Sequence, residues 1–168
     1  MTHTMDLRQE IDAIAGNYPD RRSAVMPALY LAQDKYGYLC RKALEEVADI
    51  LDLSPIRVYE VATFYTLFHT EPVGRYHLQL CTNLSCMLRG SEGLLSQMCQ
   101  ELEIEPGQVT ADGQFSITTV ECLGSCGTAP VLQVNDRYYE DLAPEELSRL
   151  LQSLATSDRG TRACRKRR

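Results

Sequence analysis

The chain has 168 residues, of which 44% are hydrophobic and 24% charged, and it carries a net charge of −6. That length allows one domain or two small ones, and the composition is too apolar for a disordered chain. No apolar run approaches the roughly 18 residues of a membrane span, so direct membrane insertion is not expected. The opening MTHTMDLRQE has neither the apolar core nor the cleavage site of a signal peptide, which points to a cytoplasmic location. Charge is unevenly placed. Residues 159–168 hold six of the 17 basic side chains and no acid, leaving 11 basic against 23 acidic groups, a net −12, in residues 1–158. An acidic body argues against nucleic-acid binding. The basic tail reads as a solvated terminus, with a tether to an acidic partner or an anionic surface as the sharper alternative.

In chain order, the first 70 residues read as helices. Leu7, Ile11 and Ile14 fall on one helical face, ended by Gly16, Asn17 and Pro19. Residues 21–36 place Val25, Leu29 and Ala32 together, and Pro27 predicts a kink or a late start, with Gly37 closing the helix. Residues 41–52 bring Leu44, Val47, Ala48 and Leu51 to one side. Ser54-Pro55 has the form of an N-cap followed by proline at the first helical position, so a fourth helix is expected over 56–67. Four short amphipathic helices should pack as a bundle.

The pattern changes after the linker Glu71-Pro72-Val73-Gly74. Residues 75–80 alternate as a strand and end at Cys81. A helix is expected over 91–102 from a Gly90-Ser91 cap, then turns at Pro106-Gly107 and Asp112-Gly113. Residues 115–120 form a second strand leading to Cys122. A hairpin crosses Asn135-Asp136 between 131–134 and 137–139, and a helix capped by the acids near Asp141 follows over 144–154. The fold class is therefore α+β: a helical bundle at 1–72, an α/β layer with a mixed sheet at 73–155, and a tail at 156–168.

The chemistry lies in the cysteines. There are seven, at 40, 81, 86, 99, 122, 126 and 164, an odd number in a chain with no secretory signal, so a disulfide framework is disfavoured. Four form the pattern C-x4-C, 35 residues, C-x3-C. Neighbouring strands would deliver Cys81/Cys86 and Cys122/Cys126 to one end of the sheet. Four thiolates without histidine suit a [2Fe–2S] cluster or a structural zinc ion. The wide spacings favour two irons, because zinc knuckles use the tighter C-x2-C, but zinc and isolated buried thiols remain as alternatives. Gly124 and Gly127 would let backbone N–H groups approach the sulfurs. Cys40 and Cys99 read as core thiols, and Cys164 lies in the tail. No dinucleotide fingerprint, Walker A sequence or nucleophile elbow is present, so the chain reads as an electron carrier that needs partners.

Asp112-Gly113-Gln114-Phe115-Ser116 followed by Cys122-Leu123-Gly124-Ser125-Cys126-Gly127-Thr128-Ala129-Pro130 closely resembles the signature of the thioredoxin-like [2Fe–2S] ferredoxin family. CTNLSCMLRGSEGLL at 81–95, EVATFYTLF at 60–68 and VNDRYYEDLAPEEL at 134–147 resemble its other segments, so the likeness spans roughly 8–152. The resemblance implies a helical bundle joined to a thioredoxin-like domain, with Cys81, Cys86, Cys122 and Cys126 ligating one [2Fe–2S] cluster. It further implies an electron-transfer subunit of an NADH:quinone oxidoreductase, on the peripheral arm of a membrane-bound complex. The partner would be a flavoprotein subunit that binds NADH and FMN. Similar subunits serve soluble NAD-reducing hydrogenases and NAD-dependent formate dehydrogenases.

Several side chains carry two readings. Phe64, Tyr65, Leu67 and Phe68 are expected mostly to pack in a core, with a docking face as the alternative. Only one of Tyr138 and Tyr139 can point inward. Arg89 is either a surface charge or a positive field near the sulfurs. Glu140 and Asp141 read as helix N-terminal charges rather than as a site.

Overall fold

Residues 6–157 are described by a computed structural model. The chain divides into two units, one ending at Pro72 and one beginning at Val73. The first is built from α1 (Leu7–Ala15), α2 (Val25–Tyr36), α3 (Arg41–Leu51) and α4 (Pro55–Phe64). Their apolar faces enclose a core around Ile11, Leu29, Val47 and Val58. In α1 the deepest positions are Leu7, Ile11 and Ala15, while Ile14 is only half-buried. Pro27 acts through a late start. A 3-10 turn at Arg21–Ala24, with the Asp20 carboxylate accepting from the Arg22 N–H at 2.9 Å, places the proline in the first turn of α2, where its missing N–H costs nothing. Gly37 closes α2 in the left-handed region at φ 82°, and Asp52 closes α3 at φ 56°.

The fourth helix stops at Phe64, three residues short of the expected end, with Tyr65 already extended. The cause lies 34 residues away. The Gln33 side-chain amide donates to the Leu67 carbonyl at 3.0 Å, and its oxygen accepts from the His69 N–H at 2.7 Å. These bonds satisfy a non-helical backbone and turn Phe68 into the core, edge-on to Tyr30 at 5.2 Å between ring centres. Core packing holds for Phe68 and in part for Leu67. Phe64 is instead 77% exposed, and Tyr65 is also exposed.

Burial holds the His69 imidazole below its ordinary value, favouring the neutral ring in the fold. The unfolded ring, titrating near the ordinary 6.5, takes up a proton first as pH falls. Stability from this group is therefore complete above that value and is lost as pH falls through it toward the lowered folded value. Thermal denaturation between pH 7.5 and 5.5 is expected to show this loss, and His69→Gln should flatten it. A wild-type profile no steeper than that of the variant would refute the assignment.

The second unit runs β1 (Tyr76–Cys81), α5 (Leu84–Leu88), α6 (Ser91–Leu102), β2 (Phe115–Val120), β3 (Leu132–Val134), β4 (Arg137–Tyr139) and α7 (Pro144–Thr156). The sheet order is β2-β1-β3-β4, with β1 parallel to β2 and the other pairs antiparallel. It is the mixed sheet expected. Leu78, Leu80 and Ile117 meet Leu94 and Met98 of α6 and Leu147 and Leu151 of α7 in one apolar core. The parallel register runs from Tyr76 opposite Phe115 to Cys81 opposite Val120, so both strands finish at the same rim. The hairpin turn is set by Asn135, left-handed at φ 53°, whose side chain accepts from the His77 N–H at 2.9 Å and donates to the Arg75 carbonyl at 3.0 Å.

Helix α7 is not capped by the acids near Asp141. Its N-cap is Ala143, Pro144 takes the first position, and Glu146 reaches back to accept from the Ala143 N–H at 3.3 Å. The helix ends at Thr156, and the tail from 158 onward, with Cys164, lies outside the described residues.

Candidate metal centre

Cys81 is the last residue of β1, where its N–H donates to the Val131 carbonyl at 3.1 Å and its side chain is 3% exposed. Asn83 then caps α5, its side-chain oxygen accepting from the Leu84 N–H at 2.9 Å. Cys86 therefore stands on a single helical turn rather than in a loop, and is 2% exposed. The signal for that turn was an asparagine three residues before the cysteine, a residue type that favours N-caps. Thr82 and Asn83 also sew this segment to the chain beyond β2. The Thr82 N–H donates to the Val120 carbonyl at 3.0 Å, and the Asn83 amide donates to the Glu121 carbonyl at 2.9 Å. That stitching brings Cys122 and Cys126 to the same rim, both exposed.

The four thiols interact. The Cys81 thiol is influenced by those of Cys86 and Cys122, and Cys86 also feels the charge of Cys126. Burial works to raise the Cys81 thiol, yet it ends below its ordinary value. It is pulled down by the Asn83 N–H, the Cys86 thiol, the Leu123 N–H and the Cys122 thiol. Cys86 is pushed up, first by burial and then by its bond with Cys81. The Gly124 N–H donates to Cys122 Sγ at 3.3 Å, which the left-handed φ of 75° at Gly124 permits. Around Gly127 the space where a Cβ would stand is open.

The rim thus carries two cysteine pairs whose thiols influence one another, with the Gly124 N–H aimed at Cys122 Sγ. Among the described residues, no set of three or more histidine, cysteine or acidic side chains closes on a single ion. Four cysteines delivered as two pairs, without histidine, are a donor set that a two-iron cluster fits, one pair to each iron. Cys40 precedes α3 in the first unit and Cys99 lies within α6, both half-buried and outside this constellation. Burial, followed by the charge of Glu105, raises the Cys99 thiol.

The sequence profile of the thioredoxin-like [2Fe–2S] ferredoxins matches residues 11–155. The chain belongs to this family. Its cofactor is one [2Fe–2S] cluster, and the donor set above accommodates it. As a member of that family, the chain is similar to the second E-type subunit of the NADH-quinone oxidoreductase of Rhizobium meliloti (strain 1021), with 55% identity over 157 residues and 94% of both chains covered. The corresponding E-type subunit of the NADH-quinone oxidoreductase of Rickettsia bellii (strain RML369-C) is 46% identical over 144 residues, covering 84% of this chain and 86% of the relative. Among solved structures, an NAD+-reducing [NiFe]-hydrogenase in the H2-reduced state superimposes with a TM-score of 0.72 at 26% identity. That match covers 80% of this chain but 22% of the hydrogenase chain, so it is a likeness to one portion of a longer protein.

Around the ferredoxin rim, sequence reasoning missed the braces. Glu140 accepts from the Ser125 hydroxyl and from Thr128 Oγ1, the latter at 2.6 Å, and these two bonds hold its carboxyl below the usual range. Asp141, left-handed at φ 49°, pairs with Arg89 at 2.9 Å, and Arg89 Nε also donates to the Ala129 carbonyl at 3.3 Å. The two acids are therefore tied to the cysteine loops and do not cap α7. Arg89 is a partnered surface charge; exposed as the pair is, it adds little stability. Tyr139 packs on the core while Tyr138 points out and donates to the Leu123 carbonyl at 3.0 Å. Strand alternation places Tyr138 and Glu140 on one side, and this was the only sequence signal for their shared role.

Proposed function

We propose that this chain is the E-type electron-transfer subunit of an NADH:quinone oxidoreductase, with Cys81, Cys86, Cys122 and Cys126 holding its [2Fe–2S] cluster. The observation that carries the reading is the convergence of both cysteine pairs at one rim, in a chain that is 55% identical to such a subunit along 94% of its length. When bound, the cluster supplies one-electron redox chemistry. The chain's residues supply ligation, shielding and charge stabilisation. Cys81 and Cys86 are buried, so one side of the site is closed to water, while the exposed Cys122 and Cys126 leave the other open to a partner. Leu84 and Leu88, 61% and 74% exposed, stand with Met87 on the helix that carries Cys86, as apolar contacts beside the open side.

The partner in this reading is the subunit that binds NADH and FMN, within the peripheral arm of the complex. Hydride chemistry takes place there, because this chain has no dinucleotide-binding fingerprint. Among the described residues no helix is long and apolar enough to cross a membrane, and in this reading attachment runs through other subunits. The hydrogenase likeness supports a second reading, the equivalent subunit of a soluble NAD-reducing hydrogenase. Purification from native membranes tests both. A brown preparation, with one [2Fe–2S] per chain and a co-eluting FMN protein in a quinone-reducing assembly, is expected. Co-elution with a soluble hydrogenase would select the second reading. A colourless chain holding one zinc ion would overturn both.

A further inference from the structure

We propose that Tyr138 is a positioning residue that raises the reduction potential of the cluster, acting through the single peptide group that joins Leu123 to Gly124. The inference rests on the reading of Cys122 as a ligand. The Tyr138 hydroxyl donates to the Leu123 carbonyl at 3.0 Å. The N–H at the other end of that same peptide, on Gly124, donates to Cys122 Sγ at 3.3 Å. A carbonyl that accepts a hydrogen bond is polarised, and its own N–H becomes a stronger donor. Hydroxyl, peptide and sulfur therefore form one aligned relay. A stronger donor to a ligating sulfur stabilises the state carrying the added electron's charge, which moves the potential upward.

The surroundings favour this role over packing. Tyr138 is 43% exposed and belongs to the edge strand, so its ring is not a core element. Leu123, whose carbonyl it holds, lies between Cys122 and Gly124, so the hydroxyl acts inside the same short loop that carries the Cys122 sulfur. Glu140, on the same side of the chain, holds the far end of the loop through Ser125 and Thr128. It brings a fixed negative charge, whereas Tyr138 brings only a dipole. The two side chains should therefore move the potential in opposite directions.

Tyr138→Phe removes one hydroxyl and keeps the ring. In the purified, cluster-loaded full chain, iron content and melting temperature are expected to match the wild type. The reduction equilibrium constant should fall about threefold to tenfold, a negative shift of up to about 59 mV for one electron, read by spectroelectrochemistry. Glu140→Gln should shift the potential the other way. An unchanged potential in the Tyr138 variant with its cluster intact would overturn the proposal. Loss of the cluster would also do so, because Tyr138 would then be a brace of the fold. Negative shifts in both variants would point to a loosened loop and equally overturn it. Zinc in the wild-type chain would sink the ligand reading first, so the two failures are distinguishable.

Discussion

Cys122→Ala is expected to yield a folded chain with almost no cluster. Cys122 is exposed, so removing its thiol leaves no cavity, and its loop keeps the contacts made by Tyr138 and Glu140. What it loses, in the proposed ligand set, is one of four donors. Disrupting partners outside the ligand shell commonly costs 10–100-fold in metal affinity, so loss of a ligand should lower iron content by at least about tenfold. Cys126→Ala should behave alike. Cys81→Ala and Cys86→Ala should lose the cluster and also about 1 kcal/mol of stability, because these two side chains are buried against Ala129 and Val131. Cys99→Ala should keep both iron and fold. Iron and acid-labile sulfide per chain, with the visible absorption spectrum, decide the matter. Full iron in the Cys122 variant, or none in the Cys99 variant, would contradict the ligand assignment.

The difference between the exposed and buried pairs shows which part of the site was legible in the sequence. Alternating residues ending at Cys81 and at the approach to Cys122 announced two strands, and the parallel register of β1 and β2 then brings both cysteine segments to one rim. Local pattern was enough because hydrophobic alternation and strand ends are local features. Three things were not legible for the opposite reason. The end of α4 depends on Gln33, 34 residues away from Leu67 in sequence. The roles of Glu140 and Tyr138 depend on a loop 12 to 15 residues earlier, with which they share no periodicity. The helix carrying Cys86 has five residues, too few for a 3.6-residue repeat to appear, although the Asn83 cap was there to read. The acids near Asp141 were misassigned because acidic residues before a helix usually serve its N-terminus, and here the Arg89, Ser125 and Thr128 side chains compete more effectively for them.

Gly74→Ala is the second substitution with a large expected effect, and its site lies at the opposite end of β1 and β2 from the four cysteines. A Cβ at Gly74 would stand 2.3 Å from the Phe115 carbonyl carbon and 2.6 Å from the Ser116 nitrogen, both backbone atoms at the start of β2. A flexible side chain could swing aside, but a strand backbone held in register with β1 cannot do so without breaking its ladder. The Gly74 N–H also donates to the buried Ser116 hydroxyl at 2.9 Å, and that hydroxyl meets the ring of buried His77 at 2.7 Å, so any displacement disturbs a polar contact sealed from water. Overpacking typically costs 1–3 kcal/mol, and with backbone on the far side the cost here should be about 3 kcal/mol or more. At about 2–4 °C per kcal/mol for a chain of this size, the melting temperature should fall by roughly 6–12 °C. Gly127→Ala is the matched control: it lies beside Cys126, meets open space and has no positive φ, so its melting temperature should stay near wild type. Because β1 and β2 carry the cysteine segments at their other ends, the Gly74 variant should also retain its cluster less well than the Gly127 variant during heating. A Gly74 variant that melts with the wild type would mean that β2 can shift without cost. The two strands would then not be the rigid frame on which the positions of all four sulfurs depend.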